Sequence, residues 1–276
     1  MERIALITGT SSGFGMLTAV KLARLGFRVV ATMRNTGAQR ELLAKAEQAG
    51  AAANVEVLPL DVTDFAAIER VVSEVIARYG RIDVLVNNAG FAIGGFVEEL
   101  TIDDWREQME TNFFGLVALT RAVLPIMRVQ QSGAIVNVSS VSGLAGFPGY
   151  AAYAASKFAV EGFSESLRHE MLPFGVKVVL VEPGAYKTPI WGKGLARIRV
   201  RPDSPYGDKL QAVMRYSQQT AASAPDPQQV ADRIGEVATA ASPKLRYPLG
   251  RGSRLLLWGK ALLPWKWFEA VIRKAL

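Results

Sequence analysis

Ile4-Ala5-Leu6-Ile7-Thr8-Gly9-Thr10-Ser11-Ser12-Gly13-Phe14-Gly15 carries the chain from a short β-rich run into a glycine-rich turn. A helical pattern follows to Leu25, with Leu17, Val20 and Leu22 on its apolar side. Glycines permit a tight turn and let another group approach the backbone closely. The N-terminus of the helix offers free N–H groups and the positive end of its dipole. A strand, a glycine turn and a helix in this order form a phosphate cradle, and its place at the first strand points to a dinucleotide-binding fold.

The rest of the chain repeats the pattern. Strands are expected over residues 27–32, 55–60, 82–86, 134–138 and 177–181, with a last one over 245–248. Helices are expected over 39–48 and 65–78, over a long segment carrying Trp105, Asn112 and Leu119, and from Tyr153 to about Arg168. Asp64 is placed to cap the helix at 65, and Thr101-Ile102-Asp103-Asp104 reads as a capping box. Such alternation predicts an α/β fold: a single-domain, Rossmann-type, doubly wound parallel sheet flanked by helices over residues 1–250. Ligands of such sheets bind at the carboxyl ends of the strands. Gly9 to Gly15, Arg34, Asp61-Val62, Asn88, Ser140 and Pro183-Gly184 all fall at such ends.

The second strand ends in Met33 and Arg34, with no acid to accept from a ribose 2′-hydroxyl. A planar guanidinium can grip a 2′-phosphate, which an acid would repel. The expected cofactor is therefore NADP(H).

Tyr153-Ala154-Ala155-Ser156-Lys157 places a phenol and an ammonium one helical turn apart on one face. A phenol has a reference pKa of roughly 10. A neighbouring lysine cation favours the phenolate, so the pair is expected to pass a proton near neutral pH.

These motifs resemble the short-chain dehydrogenase/reductase superfamily over roughly residues 3–190. Thr8-Gly9-x3-Gly13-x-Gly15 is similar to its cofactor loop, Asn87-Asn88-Ala89-Gly90 to its fourth-strand motif, and Asn112, Ser140, Tyr153 and Lys157 to its catalytic tetrad. Pro183-Gly184-x3-Thr188 is similar to the segment that closes on the nicotinamide. The resemblance implies that Tyr153 exchanges a proton with the substrate oxygen and that Ser140 hydrogen-bonds that oxygen. It implies that Lys157 lowers the Tyr153 pKa and holds the nicotinamide ribose, and that Asn112 links Lys157 to a proton relay. Family spacing selects Ser140 over its neighbour Ser139. The implied cofactor contacts are Gly9, Ser11, Ser12, Gly13, Phe14, Gly15, Arg34, Asp61, Val62, Asn88, Ala89, Gly90, Tyr153, Lys157, Pro183, Gly184 and Thr188. Val30-Ala31-Thr32-Met33-Arg34-Asn35 and the run after Tyr153 are similar to the 17β-hydroxysteroid and retinol dehydrogenase branch. Tyr186 departs from the Val or Ile usual there, which implies a differently shaped nicotinamide pocket.

The function implied is NADP(H)-dependent interconversion of a hydrophobic secondary alcohol and ketone, of steroid, retinoid or lipid type. Reduction of a 3-oxoacyl thioester is a second enzymatic reading. A non-catalytic NADP-binding sensor or scaffold is a third, which the intact tetrad disfavours. The resemblance also implies a homodimer or homotetramer through the long helices of Asn112 and Tyr153.

Composition excludes other classes. The chain has 276 residues, half of them hydrophobic, no cysteine and one histidine, His169. Disulfides, thiolate nucleophiles and Cys- or His-based metal clusters are excluded, so no metal is expected. A Ser-His-Asp hydrolase would have to use His169. The start shows no signal-peptide pattern, and no uncharged apolar run reaches the roughly 18 residues of a membrane span. A cytoplasmic, or membrane-peripheral, protein is expected.

Residues 189–227, with Trp191, Leu210, Val213 and Tyr216, read as an insertion that either lids a greasy substrate or fills ordinary core. From residue 243 onward eight Lys and Arg face Glu269 alone, a net +7 that is the whole chain's net charge (32 basic, 25 acidic). Most of that excess, six Lys and Arg against Glu269, belongs to a basic amphipathic tail over 251–276 with Trp258, Trp265 and Trp267, not to a nucleic-acid-binding face. Such a composition suits a helix lying in a membrane interface. The alternative is a tail docked on its own domain or on a partner subunit.

Overall fold

The computed structural model describes residues 2–201 and 203–275, without the side chains at 193, 274 and 275. Lys274 and Leu276 of the tail thus lie outside the described side chains.

Seven strands form one parallel sheet: β1 (Arg3–Thr8), β2 (Phe27–Met33), β3 (Val55–Pro59), β4 (Val84–Asn87), β5 (Gly133–Val138), β6 (Val176–Pro183) and β7 (Arg246–Leu249). Their spatial order is β3-β2-β1-β4-β5-β6-β7. The order reverses between β1 and β4, and that switch opens a crevice at the strands' carboxyl ends.

Both faces of the sheet are covered. In β1, Ala5 and Ile7 point into one core while Ile4 and Leu6 point into the other. This is why the strand reads as a continuous apolar run instead of an alternating one. The first core is closed by α1 (Gly13–Arg24), α2 (Gln39–Gln48) and later α9 (Gln228–Thr239), through Ala19, Leu22, Leu42, Val230 and Ile234. The second is closed by α3 (Phe65–Tyr79), α5 (Gly115–Gln130) and α6 (Ala151–Met171), through Ile68, Val72, Leu119, Val123 and Leu167.

Local signals set the boundaries. Asp64 caps α3, accepting from Ala67 N–H at 2.9 Å, and Gly80 ends it in the left-handed region at φ +71°. The capping box at Thr101 and Asp104 starts α4 (Ile102–Met109). One departure from the sequence reading follows. The long helix is not uniform: a π-helical turn at Glu110–Phe114 joins α4 to α5 and contains Asn112. Pro125 lies inside α5. By length and composition Ile102–Gln130 could cross a membrane, but its Leu116, Leu119, Val123 and Met127 are buried in the protein core.

The remaining helices, α7 (Ile190–Leu195), α8 (Gly207–Ser223), α10 (Ser253–Leu262) and α11 (Trp265–Ala275), lie outside this repeat.

Gly115 marks where α5 meets the loop after β3. A Cβ there would stand 2.7 Å from the Val62 carbonyl oxygen. Helix propensity alone would make Gly115→Ala stabilising by about 1 kcal/mol. Overpacking against backbone wins, so a loss of about 1–3 kcal/mol is expected. The urea midpoint of the variant, measured against the unmodified chain, gives the sign.

Candidate active site

The crevice between β1 and β4 is held by side chains at the strand ends. The Thr8 hydroxyl accepts from the Asn88 and Ala89 N–H groups, both at 3.0 Å. Asn88 Nδ2 donates to the carbonyls of Thr8 at 2.8 Å and Gly9 at 3.1 Å. Gly9 has φ +69°, and a Cβ on it would lie 2.8 Å from Ala89 Cα. Gly15 packs directly on the Gly9 carbonyl and the Asn88 amide, so no side chain fits there either. Gly13, at φ +59°, has only ordinary contacts with Thr188 and Pro189 beside it. The first turn of α1 carries no acid, and Ser12 at its N-cap makes no capping bond. Free N–H groups, a positive dipole end and room beside the backbone suit an anionic phosphate. The cradle therefore fits a dinucleotide.

A cleft of about 320 Å³ extends from this cradle. Its walls contain Gly9, Ser11, Ser12, Gly13, Phe14, Arg34, Asp61, Val62, Asn88, Ala89, Gly90, Tyr153, Lys157 and Thr188 from the expected contact set. Three expected contacts fall elsewhere. Gly15 lies behind the cradle as packing, and Pro183 and Gly184 line the neighbouring pocket. The latter two end β6, one strand further from the crevice than β5, which explains the shift. Arg34 stands at the cleft's rim with its side chain 77% exposed and Nη1 3.9 Å from Asp61 Oδ2.

The neighbouring pocket, about 210 Å³, is largely apolar. Phe147, Pro148, Tyr186, Ile190 and Trp191 line it. So do Val213, Tyr216, Ser217 and Thr220 of α8, whose spacing puts them on one helix face. Tyr150 and Ser217 share a hydrogen bond at 3.1 Å across it. Tyr153 belongs to the walls of both cavities.

Around Tyr153 the tetrad assembles. Ser140 lies beside the Tyr153 hydroxyl and pulls its pKa down; its Oγ donates to the Pro183 carbonyl at 3.3 Å and accepts from Ser142 N–H at 3.1 Å. Ser139 turns the other way, against Glu161. Lys157 Nζ lies 5.8 Å from the Tyr153 ring centroid and donates to the Val138 carbonyl at 2.9 Å. Burial lowers the Lys157 pKa to about 8, with the Glu161 carboxylate opposing the drop. Burial pushes the Tyr153 phenol above its ordinary value, against a downward pull from Ser140. Desolvation is the largest influence on the phenol.

Asn112 faces the site from the π turn. It accepts from Phe91 N–H at 3.1 Å, and its amide donates to the Phe91 carbonyl and to the Ser156 hydroxyl, both at 3.0 Å. Sequence reasoning missed Ser156 and Gln108. Gln108, one turn before Asn112, accepts from Ile93 N–H and donates to the Phe91 carbonyl, both at 2.8 Å. Four-residue spacing from Asn112 was the available signal.

It also missed a buried charge cluster behind the site. Arg246 of β7 pairs with Glu161, Glu165 and Glu182, at 2.7 Å to Glu182 Oε1. Glu161 and Glu182 are both buried, and Glu161 Oε1 and Glu182 Oε2 find no donor among the described residues. Burial, then the Glu161 carboxylate, push the Glu182 carboxyl up to about 7, while Arg246 pulls it down. Two carboxyls within hydrogen-bonding reach of one another then hold one proton between them.

The sequence pattern of the short chain dehydrogenases matches residues 3–197. The chain belongs to the short-chain dehydrogenase family. It is 44% identical over all of its length, and over 99% of the relative's, to "uncharacterized oxidoreductase YusZ" of Bacillus subtilis. A 3-ketodihydrosphingosine reductase of Bacteroides thetaiotaomicron is 43% identical over 67% of this chain and 65% of its own. Human retinol dehydrogenase 8 is 40% identical over 71% of this chain and 63% of its own, in keeping with a retinol dehydrogenase-like branch. A solved short-chain dehydrogenase of Streptomyces avermitilis superposes with a TM-score of 0.82 at 39% identity, over 95% of this chain and 92% of that one. Two others, each 28% identical, are complexes: one with NADP (TM-score 0.71, 90% and 96% covered), one from Burkholderia phymatum with NAD (TM-score 0.78, 95% of each). This short-chain dehydrogenase is thus an oxidoreductase of a fold that binds NAD or NADP.

The shared proton gives a pH signature. The Glu182 carboxyl is near 7 when folded against an ordinary 4.5, so the folded state binds the proton more tightly. Its contribution to stability is full below about 4.5 and is lost as pH rises through 7. Glu182→Gln keeps a donor for Glu161 and removes the titration. Its melting temperature is expected to fall less than the unmodified chain's between pH 5 and 8. Parallel melting curves for the two would contradict a shared proton.

Proposed function

We propose that this short-chain dehydrogenase reduces a hydrophobic ketone with NADPH, or oxidises the corresponding secondary alcohol, with Tyr153 as proton donor or acceptor. The observation that carries the reading is that Tyr153 stands in the wall shared by the dinucleotide cleft and the apolar pocket.

The residues lining the cradle, with Lys157 and Thr188 further along, would hold the cofactor, and Arg34 would take a 2′-phosphate. When bound, a nicotinamide cofactor supplies or accepts the hydride. The protein supplies the rest. Ser140 donates to the substrate oxygen as charge develops on it, and Tyr153 gives that oxygen its proton. Lys157, with a pKa of about 8, carries a positive charge at neutral pH and stabilises the phenolate left behind. Asn112, fixed by Phe91 and Ser156, keeps the turn beside Lys157 in place. Tyr186, Trp191 and α8 act as the lid segment, excluding water from the pocket. Trp191 Nε1 donates to the Tyr186 carbonyl at 2.8 Å, tying the two together.

Two observations favour a lipid-like substrate. The pocket lining is largely aromatic and aliphatic and, among the described residues, includes no basic one. The relatives named for their substrates act on 3-ketodihydrosphingosine and retinol. An acyl thioester reductase is less well supported, because the anionic arm of such a substrate would meet no cation in that lining. A catalytic role also accounts for the tetrad better than a sensor does. A homodimer or homotetramer through α4, α5 and α6 is part of this reading, as is work in the cytoplasm, where NADPH is drawn on.

Tyr153→Phe keeps the ring and removes the transferable proton. With NADPH and a long-chain ketone, kcat is expected to fall by at least about 10²-fold, the lower range for general acid–base catalysis, with NADPH binding kept. Near-normal turnover would refute the mechanism.

Cofactor choice is tested separately. Arg34→Ala should weaken NADPH by about 1.5–3 kcal/mol, the worth of a hydrogen bond to a charged group, and leave NADH nearly unchanged. Equal Kd values for the two cofactors in the unmodified protein would end the assignment.

A further inference from the structure

The C-terminal tail docks with one face and exposes another. In α10, Ser253 is buried against Gly184, and Lys260 donates to the Leu144 carbonyl with its ammonium 5.0 Å from the Phe158 ring centroid. In α11, Phe268 is only 3% exposed. These contacts use the inward face. The outward face is apolar too. Leu255, Trp258 and Leu262 fall at i, i+3 and i+7 on α10, and Trp258 is 68% exposed. Trp267 and Val271 fall at i and i+4 on α11, and Trp267 is 64% exposed. Docking of the tail on its own domain therefore leaves a second apolar stripe unpartnered, which a monomer in water does not favour.

Charge indicates what covers it. Residues 251–276 carry six Lys and Arg against Glu269 alone, a net +5. Arg251 and Arg254 stand one turn from Leu255 and Trp258, and Lys266 and Arg273 flank the stripe on α11. None of these four has an ion-pair partner among the described residues. Tryptophan and leucine bordered by unpaired cations match the boundary of an anionic bilayer, where rings sit at the headgroups and cations meet phosphate.

We propose that the outward stripe of α10 and α11 docks this protein on an anionic lipid bilayer. The position of α10 gives the docking a use. It runs from Gly184, in the wall of the apolar pocket, to Leu144, between Ser142 and Phe147 of the same wall. The flank of the pocket is thus held beside the bilayer, where a membrane-dissolved ketone would enter. That last step rests on the proposed substrate class; the docking does not.

Co-sedimentation of the full chain with vesicles tests it, and needs no turnover, so failure of the reductase reading leaves the result intact. Vesicles of equimolar phosphatidylcholine and phosphatidylglycerol are expected to carry the protein down, and phosphatidylcholine alone is not. Arg254→Gln with Lys266→Gln should weaken partitioning about five-fold per charge at low salt. Raised salt should reduce binding of the unmodified chain without abolishing it, because the apolar contribution is not screened. Trp258→Ser with Trp267→Ser, both at exposed positions, should remove that salt-resistant remainder and leave the melting temperature unchanged. Protein remaining in solution with both vesicle types, or equal binding to both, overturns the proposal. So does a Trp258→Ser variant that dissociates an oligomer in lipid-free buffer, which would assign the stripe to a second copy of the chain.

Discussion

Asn88 ties the first and fourth strands together where the sheet's order reverses. Its amide donates to two successive carbonyls at the end of β1, and its own N–H is taken by the Thr8 hydroxyl. Neighbouring strands inside a sheet satisfy one another's backbone; past their ends, at the switch point, side chains must do so. This exchange holds the glycine turn open on one side and leads the chain into Ala89-Gly90 on the other. The phosphate cradle and the approach to Asn112 both depend on it.

From that crevice one helix carries the chemistry inward. Tyr153, Lys157 and Glu161 follow each other at four-residue intervals along α6, so phenol, ammonium and carboxyl stack on one face. Burial disfavours every charged form in the stack, and each charge is tolerated through its neighbour. Glu161 sustains the cation of Lys157. Arg246, from the last strand of the sheet, sustains the carboxyls of Glu161 and Glu182. The edge strand β7 thus contributes to the electrostatics of a site that it does not touch.

Most of the frame was legible because its signals are local. Gly9, Gly13 and Gly15 each answer to a backbone position that refuses a side chain or welcomes a phosphate. Asp64 and the box at Thr101 announce their helices by capping chemistry. What could not be read was long-range. Nothing near Glu161 in sequence points to Glu182 or Arg246, which only the β6–β7 pairing brings beside it. The π turn at Asn112 inserts into a helical period too long to reveal it. The burial that raises the Tyr153 pKa was not legible, because spacing reports proximity, not desolvation. For the tail, composition posed membrane and docked forms as rivals, whereas Ser253 and Phe268 are buried while Trp258 and Trp267 remain exposed.

The central claim is that a nicotinamide cleft and an apolar ketone pocket meet at Tyr153. The most direct measurement is NADPH oxidation by the purified full chain across a panel of ketones. The panel runs from short water-soluble ketones through long-chain and polycyclic ones to 3-oxoacyl thioesters. The account predicts turnover that rises with the apolar bulk of free ketones, falls when NADH replaces NADPH, and is weak with thioesters. Turnover confined to thioesters, or none with any ketone under conditions where NADPH binds, would contradict it.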